Sequence, residues 1–215
     1  MKRLTTLVCS TLVLISASCN KGPSEEEISE ARELITAASS QVESELSQWR
    51  QSVREFMDNP IRGTGGCPIE AQRLPRPLFT TRENIDTTLP STISDIRRNA
   101  SVALSLLDEE YPILPDERDR RDLSRAQQPE EWGYDLAVLA TFYREPEMAG
   151  HDVFNPGYAT GYVAVWGYRE RRFVCSGVYT VENSNTVSGE GVSDLQRNLL
   201  SLAIARGLEN LTAIP

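Results

Sequence analysis

The stretch YATGYVAVWGYRERRFVCSGVYTV, Tyr158 to Val181, decides the fold. It reads as two strands, residues 158–168 and 173–181, joined by the charged turn 169–172, because β-branched and aromatic residues crowd both halves. Six rings gather here: Tyr158, Tyr162, Trp166, Tyr168, Phe173 and Tyr179. If the turn sets Tyr168 opposite Phe173, then Trp166 faces Cys175 and Tyr162 faces Tyr179. One face of the hairpin is then aromatic, and the other carries Val163, Val165, Val174 and Val178. The turn lacks Gly and Asn, so it is not of the favoured two-residue type, and a slip of one residue would exchange the two faces. Two readings of the aromatic face stand. Tyr162, Trp166 and Tyr179 are candidate ligand-facing rings, for a sugar or cell-wall partner. The favoured reading is that they are core rings beneath a helix, since aromatics dominate ordinary cores.

Upstream, residues 135–144 read as a third strand. Leu136, Val138, Ala140 and Phe142 alternate with Ala137, Leu139, Thr141 and Tyr143, so both faces are apolar and the strand belongs inside a sheet. Residues 145–157 and 183–191 read as loops. Helical periodicity marks three further segments. The longest, 25–58, opens on Ser24 with Glu27 three residues on, a capping-box pattern, and stops at Asn59-Pro60. Its apolar stripe runs Ile28, Ala31, Ile35, Ala38, Val42, Leu46, Trp49, Val53 and Phe56. The sevenfold recurrence of Ile28, Ile35, Val42, Trp49 and Phe56 allows a coiled-coil dimer. The favoured reading is packing within the chain, because the second seam, Ala31, Ala38, Glu45 and Ser52, is weak for a zipper, with the Ala-rich first half the part to project. A middle helix spans about 91–110, a short charged helix falls within 115–128, and a last helix covers about 193–211, where Gly207 permits close approach to a sheet. Residues 74–78, with Pro75 and Pro77, read as extended or polyproline-like. The expected fold class is therefore α+β: a small antiparallel sheet of about three strands packed by a long N-terminal helix, a middle helix and a C-terminal helix. The expected division is a signal segment 1–18, a tether 19–24, the helix 25–58, and a remainder 59–215 of one domain.

No motif announces a reaction. There is no Gly-x-Ser-x-Gly. The glycine-rich turn 63–68 lacks the Lys-Ser/Thr of a phosphate loop. A single His, His151, and few free thiols leave no ordinary zinc set, and 108–110 lacks calcium-loop spacing. No cofactor or metal is expected. Cys67 and Cys175 form an even pair in an exported chain, so a disulfide is the economical reading. The alternative is an enzyme, an envelope hydrolase using carboxylates or a Cys67–His151–Asp152 set.

The chain begins with Lys2-Arg3, then a 12-residue apolar run from Leu4 to Ile15, then Ser16-Ala17-Ser18 and Cys19. This is the plan of a secretory signal, and the run is too short to span a bilayer. Ile15 to Cys19 resembles the lipobox of bacterial lipoprotein precursors, with Ser16 standing where that family usually has Leu. The resemblance implies that Cys19 becomes the first residue and carries palmitate-class acyl chains, and that Asn20 directs the protein to the outer rather than the inner membrane. A soluble secreted or periplasmic protein is the other outcome. The formal charge is −9; removing Lys2 and Arg3 from the 22 basic residues, against 31 acidic ones, leaves −11. Such a surface repels phosphate backbones, so nucleic acid is not an expected partner. The expected function is a membrane-anchored, non-catalytic binding or structural module of the cell envelope, with a protein or cell-wall partner.

Overall fold

The computed structural model describes residues 22–61, 65–67, 69, 77–150, 153–183 and 192–214. Helix α1 (Glu25–Asp58) starts as its sequence requires: Glu27 N donates to Ser24 Oγ at 3.3 Å, and Ser24 N donates to Glu27 Oε2 at 2.8 Å. The expected stripe is its buried face, from Ala31 to Phe56. Helix α2 (Ser91–Leu107) runs antiparallel beside it, tied by Arg97–Glu43 (3.4 Å) near the middle and Arg32–Asp108 (2.7 Å) toward the start of α1. Helix α3 (Glu117–Arg125) is capped by Asp116, which accepts from Asp119 N at 2.7 Å, and fills the gap between them. Small side chains make this possible: Ala31, Ile35 and Ala38 of α1 meet Ala100 and Ala103 of α2 and Leu123 of α3. The first half of α1 therefore does not project, and the stripe that allowed a dimer seam is covered within its own chain.

The second half of α1 lies on a sheet, and here the expectation of about three antiparallel strands is corrected. Six strands form a mixed sheet in the order β1-β8-β7-β6-β3-β2, and β4 and β5 form a separate pair. The strands are β1 (Gly65–Gly66), β2 (Leu78–Thr81), β3 (Tyr134–Arg144), β4 (Glu147–Gly150), β5 (Val153–Asn155), β6 (Tyr158–Gly167), β7 (Arg172–Glu182) and β8 (Thr212–Ala213). Among the described strands only β2 pairs in parallel, with β3, and α2 lies in the chain between the two. The reasons are local. Strand β2 has four residues behind Pro77, too few to show alternation, and β1 and β8 have two each. The β4–β5 pair lies in a segment whose Pro and Gly content reads as loop.

The hairpin is present, with a register that differs from the expected one. Val165 pairs with Cys175 and Trp166 with Phe173, which leaves Val174 as a bulge; Tyr162 pairs with Val178, and Tyr179 with Gly161. The turn 168–171 closes on Arg171 with a φ of 50°. One residue of shift sends the rings to both faces. Tyr162, Trp166 and Phe173 join Phe56 and Trp49 under α1, whereas Tyr179 and Cys175 join Leu199 and Ala203 under α4 (Val192–Glu209). Phe56 sits at the centre of the first cluster, 5.0 Å from Phe173 and 5.4 Å from Tyr162 between ring centroids. On the other face, α4 reaches the backbone of the sheet because two glycines meet. A Cβ on Gly177 would stand 2.0 Å from the carbonyl oxygen of Gly207, and one on Gly207 would stand 2.1 Å from Val163 Cγ2.

Candidate functional site

Helix α4 packs on β6 and β7. Among the described residues no helix covers the β2–β3 half of the same face, and a groove of about 940 Å³ opens there. Phe79 from β2, Ala140 from β3, Ala159 from β6 and Leu199, Leu200 and Ala203 from α4 line it. Phe79 stands against Tyr143, ring centroids 5.1 Å apart. A bulge between Ala140 and Phe142 bends β3 at this point and leaves Phe142 at the mouth, 55% exposed. Bulges commonly re-aim side chains in this way. The rim carries both signs of charge. Arg82, which is paired with Asp58, and Arg197, which is paired with Asp194 at 3.1 Å, line it together with Glu83 and Glu145. The volume lies within the range of ordinary small-molecule sites, a few hundred to about 1,000 Å³, and the lining is mixed: an apolar floor with polar and charged residues, among them Glu83, Asn84, Gln196 and Arg197, around it.

Among the described residues the carboxylates that line this groove are Glu83 and Glu145. Hydrogen bonds from Thr81 and from its own backbone hold Glu83 below the usual carboxylate range, the reverse of what a general acid needs. The strongly raised carboxyl is Asp135, pushed by burial up to about 6, and it lies about 17 Å along β3 from Ala140. It has structural work. Its oxygens accept from Tyr168 Oη (2.7 Å), Thr92 Oγ1 (3.1 Å) and Thr92 N (3.3 Å), so it caps α2, whose own N-cap Pro90 offers no side-chain bond. Burial beside that carboxylate drives the Tyr168 hydroxyl far above its ordinary range. Glu45, fully buried on α1, accepts from Gln41 Nε2 (3.0 Å) and from Arg171 in the hairpin turn (3.0 Å), and burial raises its pKa. Among the described residues no group of three His, Cys, Asp or Glu side chains could hold a metal ion.

The residues singled out from sequence have the following places. Cys67 and Cys175 are joined, with Cα atoms 5.7 Å apart. Cys67 is thus half of a disulfide rather than a free thiolate, which removes the nucleophile from the Cys67–His151–Asp152 reading. His151, Asp152 and Cys19 lie outside the described residues. Trp166 and Tyr179 are buried, at 0% and 1% exposure, and Tyr162 is half-buried against Phe56. None of the three lines the groove. The rings belong to the core beneath helices on both faces of the hairpin, Tyr162 and Trp166 toward α1 and Tyr179 toward α4. The groove residues escaped sequence reasoning because they come from β2, a bulge and the solvent shoulder of α4. Leu78-Phe79-Thr80-Thr81, an apolar and β-branched run after Pro77, was the available signal. No described helix is long and apolar enough to cross a membrane. Comparison with protein-family models, curated proteins and solved structures gave no match.

Proposed function

We propose that the chain is a non-catalytic binding module of the bacterial cell envelope, held to a membrane, the outer rather than the inner, by lipid on Cys19. Its ligand is a small amphiphile seated in the groove between α4 and the β2–β3 edge. The observation that carries the reading is the groove itself, about 940 Å³ with an apolar floor and a rim of charged and polar residues. An apolar segment of the ligand would gain roughly 25 cal/mol for each Å² removed from water, and the rim would orient a polar head. Helix α1 links the two ends of this design. It begins six residues after Cys19, its Met57 lines the groove, and its 34 residues set the two about 50 Å apart. Several acyl chains on one cysteine bury enough methylenes for stable anchoring.

Titration with anilinonaphthalene sulfonate, an amphiphilic dye that brightens in apolar sites, tests the groove. The unsubstituted protein is expected to give a saturable rise in emission, and Leu200→Arg, which puts a charge on the floor, is expected to abolish it. Equal responses from the two proteins would refute the site. Mass spectrometry of the membrane-extracted protein tests the anchor: a chain starting at Cys19 with added acyl mass supports it, and an unmodified N-terminus removes it.

A further inference from the structure

We infer that the turn between α2 and α3 is a second membrane contact, in which Tyr111 and Ile113 enter the interfacial layer of an electrically neutral lipid surface. This rests on the proposed anchoring at Cys19. Tyr111 is 81% exposed and Ile113 55% exposed, two residues apart in one turn. The turn is held firmly. Ile113 N donates to Leu106 O at 3.0 Å, Leu114 packs on the Ala31–Leu123 cluster, and Pro115 is buried beyond it. The two side chains are therefore displayed by a fixed backbone rather than by a loose loop.

Their place relative to the anchor follows from the helix pair. Glu43 meets Arg97 and Arg32 meets Asp108, so each step toward the end of α2 is a step toward the start of α1. Tyr111, three residues past Asp108, is level with the first turns of α1. From Glu25 back to Cys19 is six residues, a reach of at most about 20 Å. Lipid on Cys19 thus holds the Tyr111 end of the molecule against the surface it inserts into, and the groove end faces away. A Tyr ring with an apolar body and a polar tip suits the headgroup boundary, and Ile113 beside it supplies apolar area. The charges at this end choose the lipid. Glu109 and Glu110 adjoin Tyr111, Glu25, Glu26 and Glu27 open α1, and Asp108 is paired with Arg32. Arg118, Arg120 and Arg121 of α3 offset them in part. Anionic headgroups would be repelled, so the surface is zwitterionic.

The test uses the full lipidated protein in phosphatidylcholine vesicles that contain brominated acyl chains. Tyr111→Trp places an indole at the tip, and Ile61→Trp, at an exposed position past the far end of α1, is the control. The expected result is loss of the added emission in Y111W and none in I61W, with the loss reversed by Ile113→Glu in the Y111W background. Flotation with the vesicles but no loss in Y111W would overturn the contact and leave the anchor standing. Failure to float would overturn the anchor, and the contact with it.

Discussion

Asp135 and Glu45 bring two buried carboxylates to one hairpin turn, Asp135 through Tyr168 and Glu45 through Arg171. Asp135 titrates in the folded protein at about 6, against an ordinary 3.8. The folded state therefore holds this proton more tightly than the unfolded chain. The resulting stability is fully present below about pH 3.8, declines as the pH rises through about 6, and is gone above it; the whole swing is at most about 3 kcal/mol. Urea unfolding from pH 4 to 7, compared between the unsubstituted protein and Asp135→Asn, checks this: the difference between them should vary with pH across that window, and a constant difference would contradict it. For Glu45 the asymmetry lies between partners. Arg171→Ala leaves a buried carboxylate with only Gln41, whereas Glu45→Gln leaves an amide that Gln41 can still meet. Arg171→Ala should cost roughly 1–3 kcal/mol and more than Glu45→Gln, a ranking that chemical denaturation reads directly.

Among the elements, α4 rests on backbone rather than on side chains where Gly177 meets Gly207. Gly177→Ala forces the helix off β7 and should cost about 1–3 kcal/mol, with faster amide exchange along α4 as the measured sign. The disulfide acts on the segment after α1. It fastens Cys67 to β7 across 108 residues, and the chain-entropy model gives about 4–5 kcal/mol for a loop of that size. The Cys67→Ser/Cys175→Ser double variant should therefore unfold at a markedly lower urea concentration. Much at this scale was legible in sequence. The capping box and the nine-residue stripe defined α1, the ring-rich run defined the hairpin, Gly207 signalled a close approach, and the cysteine count gave the bridge. What was not legible depended on contacts between distant segments. A four-residue parallel strand and two-residue edges carry no periodicity, and the register turned on a single bulge at Val174. That bulge explains why Phe173 and Cys175 lie on opposite faces of the sheet.

At the scale of the whole molecule, α1 is the axis. Its first half sits in a small helical cluster with α2 and α3, and its second half sits on the sheet, with the groove beyond. The candidate site was not legible in sequence because it arises from an imbalance of layers: among the described residues one helix covers half of a face that two would fill. The proposed architecture puts lipid and Tyr111 at one end and ligand at the other. The most direct measurement is amide chemical-shift mapping on the unlipidated chain as dodecylphosphocholine is added below its micelle concentration. The account predicts saturable shifts at Phe79, Ala140, Phe142 and Leu200. Unchanged resonances at those four positions, with shifts only around Tyr111 and Ile113 or nowhere, would contradict it.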